Sequence, residues 1–149
     1  MVAATQNRNT PTRLNQHRGH PVAADAECFA GTIAVMGADG YAKPAATATG
    51  LTALGAFTHY VSNAGGADGD MTAVLERGCF RLANSSGADE ITRAAIGQVC
   101  YAVDDQTVAG TNGDTGTGAT RSPAGIVDDI DDVGVWVCID PTTGVAATA

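Results

Sequence analysis

The chain has 149 residues, enough for one domain that buries roughly 70% of its unfolded surface, and it carries a formal net charge of −8. That acidic balance opposes nucleic acid or an anionic membrane as a main partner, and no run of about 18 apolar residues is present to cross a bilayer as a helix. Val, Ile, Leu and Phe make up only 27 of the 149 residues, below the ~20% at which a charged chain starts to look disordered, so a lone copy is expected to be weakly cored and completed by neighbouring subunits.

Residues 1–26 contain Pro11, Pro21 and many Asn, Gln and Thr, without helix or strand period, and read as an extended N-terminal arm ahead of a β-rich domain over 27–149. The arm lacks the apolar run of a secretory signal. Its first 22 residues hold Arg8, Arg13 and Arg18 and no acid, whereas the rest holds five bases and all sixteen acids. A basic arm on an acidic body is suited to lying on an acidic protein surface.

CFAGTIAVM (28–36) reads as a strand stopped by the turn cluster GADG, and Pro44 places YAKPAATATGL at a sheet edge or in a loop. LGAFTHYVSN (54–63) alternates Phe57, His59 and Val61 against Thr58, Tyr60 and Ser62, which predicts a strand with His59 partly buried. In MTAVLERGCFRLAN (71–84), Gly78 suggests a bulge. SSGADEITRAAIG (85–97) has the one helical look in the chain, with Ser86 three residues before Asp89 and Gly97 as a stop. QVCYAVDDQTV (98–108) returns to strand character, 109–122 is a polar Gly/Thr loop, and PAGIVDD with VGVWVCID forms a final pair. Short strands between Gly/Asp turns predict a mainly β fold, a small sandwich or barrel with one short helix.

The inventory for chemistry is thin. Asp128, Asp129, Asp131 and Asp132 are crowded, but they lack the glycine and the distant glutamate of an EF-hand loop, and adjacent residues on an extended backbone point to opposite faces. A solvated hairpin turn is the expected reading. Gly113 and Gly118 have phosphate-loop spacing with Ala119 where the lysine belongs. His17 and His20 have no further ligands beside them, and none of the four serines lies in a nucleophile motif. Cys28, Cys79, Cys100 and Cys138 are far apart and are expected as small buried hydrophobes in a chain made in reducing cytosol, a disulfide having no support from spacing. Asn84-Ser85-Ser86 matches a glycosylation acceptor that is expected to stay silent. No catalytic residue, metal or cofactor is assigned.

YAVDDQTVAGTNGDTGTGATRSPAGIVDDIDDVGVWVCI (101–139), preceded by ADEITRAAIGQVC (88–100), resembles the capsid decoration, or cement, proteins of tailed bacteriophages, particularly those of Mu-like phages and prophages. The order and spacing of ITRAAIG, YAVDDQTV, TRSPAG and DDVGVWV carry the resemblance. It implies a small, non-enzymatic β-rich virion protein on the capsid exterior, made in the host cytoplasm, that binds the major capsid protein and its own copies as a trimer. Arg8, Arg13, Leu14 and Arg18 are the candidate partner-binding residues, inferred from the physics of a polar arm that can add to a sheet edge. The alternative is a surface-displayed module that recognises a glycan or host receptor through the 109–122 loop, which offers no aromatic platform.

Overall fold

The computed structural model describes residues 3, 5–11 and 13–143 and is mainly β. Twelve strands follow in chain order: β1 His17–Pro21, β2 Glu27–Cys28, β3 Ile33–Met36, β4 Ala42–Pro44, β5 Thr52–Phe57, β6 Val61–Ser62, β7 Thr72–Glu76, β8 Gly78–Asn84, β9 Val99–Ala102, β10 Thr107–Ala109, β11 Pro123–Ile130 and β12 Val135–Ile139. An open sheet has the order β1-β7-β5-β3-β4, a closed barrel the order β10-β8-β12-β11-β9, and β2 pairs with β6. The barrel closes because β10 runs antiparallel to β9 and parallel to β8, with Ala83 and Ser85 donating backbone hydrogen bonds to Gln106 and Val108, both at 2.9 Å.

Period-two alternation in β3 explains how one sheet serves two cores. Ile33 and Val35 face the barrel and pack in the cluster that holds Leu82, Val127, Val137 and Ile139. Ala34, with Leu54, Phe57 and Leu75, faces the other way and is covered by Val22 and Cys28. Sheet and barrel are also tied by polar links: Ile33 donates its amide to Asp105 O at 2.6 Å, and the buried Ser122 hydroxyl donates to Ala48 O at 2.8 Å while accepting from the Leu51 amide at 3.0 Å. These links stop either unit from acting as a separate domain.

Of the 25 buried apolar residues described, ten are alanine, so a chain poor in large side chains gains its core by close backbone approach. Gly55 shows the constraint: its φ is +146° and a Cβ there would lie 2.1 Å from Glu76 O. Gly125 is in a similar position against Cys138 O at 2.3 Å.

Several expected elements are divided. The stretch 28–36 breaks at 29–32 into parts of β2 and β3, which lie in different sheets. Residues 71–84 form two strands, because the chain leaves the open sheet after Glu76 and enters the barrel at Gly78, so Gly78 marks a crossing rather than a bulge. His59 lies between β5 and β6, is exposed, and shares a 2.8 Å hydrogen bond with Thr58 Oγ1, which corrects its expected burial. The helical look of 85–97 resolves into two 3-10 turns, Gly87–Asp89 and Arg93–Ala95, because Gly87 has φ +65° and Glu90 is extended. Ser86 makes no side-chain cap there. Between the turns, Ile91 is pinned by Asn84, whose side-chain amide donates to Ile91 O at 2.8 Å and accepts from its N–H at 2.9 Å. Those two hydrogen bonds occupy the amide of the glycosylation motif.

Cysteines divide in two. Cys28 and Cys100 are buried free thiols, as expected, with burial pushing them up to about 11 and about 12 respectively. Cys79 and Cys138 contradict the expectation and form a disulfide, because β8 and β12 register them directly opposite each other. Spacing along the chain carries no trace of that register.

Gly55→Ala is expected to destabilise the fold by on the order of 3 kcal/mol, since both a left-handed backbone and a backbone clash oppose the methyl group. Chemical denaturation of the variant checks this, with Gly50→Ala, where φ is +74° but no atom lies within 4 Å, as the comparison for strain without a clash.

Candidate functional site

The arm enters the fold as the edge of the open sheet. β1 pairs antiparallel with β7, from His17 opposite Glu76 to Pro21 opposite Thr72. Residues 17–21, read from sequence as part of the arm, are thus sheet, and Val22 is fully buried. Before β1 the chain runs on beside Arg77, whose amide donates to Gln16 O at 2.9 Å and whose guanidinium donates to Asn15 Oδ1. Gln16 Nε2 donates to Glu76 Oε1 at 2.8 Å.

This arrangement leaves an apolar groove of about 620 Å³ where arm, sheet and barrel meet. Leu14, Asn15 and Gln16 of the arm line it together with Arg77, the segment Gly78–Cys79 and the segment Cys138–Asp140. Leu14 is 88% exposed, the highest among the exposed large apolar side chains described. An aliphatic side chain so open at the mouth of an apolar groove gains free energy only when something covers it.

Positive charge gathers at the same edge. Arg18 lies within the electrostatic reach of Arg13 and Arg77, and it is held below its usual range by partial desolvation and then by those two neighbours. Its guanidinium donates to Leu14 O at 2.7 Å and His17 O at 2.6 Å, which fixes the arm's turn into β1. Half-buried His20 is likewise held below the usual histidine range, first by burial and then by Arg77, Arg18 and Arg13. Of the sequence-predicted residues, Arg13, Leu14 and Arg18 are therefore brought together, while Arg8 lies exposed further along the arm. Sequence reasoning missed Arg77 and His20. Arg77 is 59 residues from Arg18 and becomes its neighbour only through the β1–β7 register.

The aspartate window runs from Asp128, beside Cys79 and Cys138, to the β11–β12 turn at the far end of the β8–β12 pair. Asp131 organises the β11–β12 turn by accepting the amides of Val133 and Gly134 at 2.8 and 2.9 Å, and its other oxygen accepts Trp136 Nε1–H at 2.9 Å. The Trp136 bond, followed by the Val133 amide, keeps its carboxyl below the usual range. Arg81 stacks over the Trp136 ring at 5.7 Å and approaches Asp131 to 3.6 Å. Asp104 uses the same turn chemistry, accepting from the Gln106 and Thr107 amides at 2.9 and 2.7 Å. The 109–122 loop is held at its base by Arg121, which donates to Asp89 Oδ2 at 2.9 Å.

A second exposed apolar feature lies elsewhere. Phe29 and Tyr60 are 49% and 54% exposed with ring centroids 5.3 Å apart, and Tyr60 donates its hydroxyl hydrogen to Glu27 at 2.6 Å. Comparison with protein-family models, curated proteins and solved structures returns no match.

The basic cluster has a pH consequence. Because His20 is held below its unfolded value of about 6.5, the unfolded chain protonates first as pH falls, so His20's contribution is fully present above that value and is lost as pH drops through the folded value. His20→Gln is expected to flatten the fall in Tm between pH 7 and pH 5 relative to the parent chain. Thermal melts across that window measure the difference.

Proposed function

We propose that this chain is a structural virion protein that decorates and stabilises a bacteriophage capsid, binding the major capsid protein through the arm and its groove, and its own copies as a trimer. One observation supports the choice of surface above others: the most exposed leucine and a cluster of Arg13, Arg18, Arg77 and His20 share one edge of a molecule whose net charge is −8. An acidic, partly apolar segment of a shell subunit complements that edge in both charge and hydropathy. β1 is also an edge strand with one side open to a further strand, which suits addition of an extended segment.

The family assignment rests on separate ground. The four motifs that carry the resemblance lie in the barrel and its connections, from Ile91 through Val137. Several of their residues have plain structural duties: Ile91 and Val137 fill the core and Gly125 permits close strand approach. The resemblance thus supports the type of particle, and the charge and groove support the contact surface. Single exposed ion pairs contribute only ~0–1 kcal/mol, so repeated contacts across a shell supply the avidity. On this reading the chain carries no catalysis, binds no nucleic acid or membrane, and resides on the capsid exterior.

A truncation that tests the surface must end before His17, because removing β1 and Val22 would open the second core. Removal of residues 1–13 together with Leu14→Ala, and separately Arg13→Glu with Arg18→Glu, is expected to reduce occupancy on expanded heads at least tenfold at physiological salt while circular dichroism stays unchanged. Unaltered occupancy in both variants would place the shell contact elsewhere.

A second reading, a surface module for glycan or host receptor, is favoured by the Phe29–Tyr60 pair rather than by the 109–122 loop. Two exposed rings form a platform on which a sugar face can stack. On this reading Tyr60→Ala abolishes binding on a glycan array, whereas shortening the loop leaves it intact; an array silent for the parent chain disposes of it.

A further inference from the structure

The outer wall of the barrel brings three donor atoms of metal-ligand type together on three neighbouring strands. Cys79 on β8 and Cys138 on β12 are directly opposite in register, so both side chains leave the barrel on the same face. Asp128 arrives from β11, on the other side of β12. An ordinary strand would send Asp128 and Asp129 to opposite faces. Here the register slips between Val127, opposite Val137, and Asp129, opposite Trp136, and the bulge turns both aspartates outward with Cys138 and Trp136. The two sulfurs and an Asp128 carboxylate oxygen all lie within 4.8 Å of one another.

The surroundings suit a cation. Cys79 and Asp128 are exposed and Cys138 is half-buried, so the cluster is open to exchange with solvent. Nearby acids are already engaged: Asp129 faces Arg93 at 3.8 Å, and Asp131 accepts from Trp136 and faces Arg81. The Asp128 side chain makes no hydrogen bond or ion pair among the described residues, and its carboxylate oxygen is the one that reaches the two sulfurs. The other two cysteines cannot join, since Cys28 and Cys100 are fully buried in the interior.

We propose that, once the disulfide is reduced, Cys79, Cys138 and Asp128 bind a thiophilic divalent cation of the zinc class, so that the same two sulfurs alternate between a covalent cross-link and a metal site. Two thiolates and one carboxylate supply three ligands, and water takes the fourth position of a tetrahedral ion. Metal–sulfur bonds of ~2.3 Å in a tetrahedron separate the sulfurs by roughly 3.7 Å, a spacing that side-chain rotation on opposed strand positions provides. The chemistry balances through an external thiol reductant. Two equivalents reduce the disulfide with two electrons and two protons, leaving two protein thiols and one oxidised reductant disulfide. Metal binding then displaces one proton from each thiol into solvent. In the reverse direction a disulfide oxidant of the same class takes two electrons from the thiolates, the cross-link re-forms and the cation leaves. The five registered pairs between β8 and β12 hold the two cysteines opposite each other in both states.

The full chain, reduced with a phosphine and titrated anaerobically with Co²⁺ alone, tests the site. Expected are one equivalent bound, thiolate-to-metal charge-transfer absorption with tetrahedral visible bands, and displacement by Zn²⁺; the oxidised chain should show none of these. Asp128→Asn sits on an exposed carboxylate and spares the fold, and it should weaken Co²⁺ binding at least tenfold, while Asp132→Asn changes it less than twofold. Cys79→Ser with Cys138→Ser should abolish the charge-transfer band. The proposal is overturned if the reduced chain shows no such band, if the band persists in the double serine variant, if Asp128→Asn binds like the parent, or if circular dichroism shows that reduction unfolds the barrel.

Discussion

With so few bulky side chains to bury, this chain can exclude water only by bringing backbones close together, and its alanines and glycines are placed where that happens. Ala34, Ala53 and Ala73 let the open sheet pack on both faces, and Gly125 and Gly134 admit neighbouring strands to distances that a Cβ would forbid. Close approach requires accurate register. Register in turn requires the barrel to close, since an open edge beside a core of alanines would leave water in contact with it. The closed barrel, the two-faced sheet and the serine clasp between them are consequences of that one scarcity.

The same economy accounts for where the surface is free to act. Polar links such as Ser122 to Ala48 and Asn84 to Ile91 are committed to the fold, as are the turn aspartates 104 and 131. What remains uncommitted is the edge at β1, where basic groups gather beside an apolar groove, and the paired rings of Phe29 and Tyr60. Positive charge at that edge opposes the net charge of the whole chain.

Cysteine placement follows from strand position rather than from composition. Two thiols lie in the interior, where burial raises them far above neutrality and leaves them inert. Two more lie on the outer wall, where opposed strand positions and a bulge bring sulfur and carboxylate together. A bulge that merely lengthens one strand by a residue thereby changes which chemistry the surface holds.

Much of the architecture was legible in the residues. Alternation and Gly/Asp punctuation marked the mainly β class, the final hairpin and the solvated turn at Asp131, because strand periodicity and turn chemistry are local properties of the backbone. Other features were misread wherever a local pattern continued across a global break. Residues 71–84 read as one strand with a bulge at Gly78, yet the chain changes sheets at Arg77, and His59 keeps strand parity while lying in a loop. The pairing of Cys79 with Cys138 and the meeting of Arg77 with Arg18 depend on register between strands far apart in the chain, and the outward turn of both Asp128 and Asp129 depends on a bulge in the β11–β12 pair. Sequence alone determined the strand-forming stretches, the turns and the division into basic arm and acidic body, since each follows from neighbours a few residues apart. Only the tertiary structure decided which side chains meet, because strand pairing is a contact between distant segments whose energies no local pattern encodes.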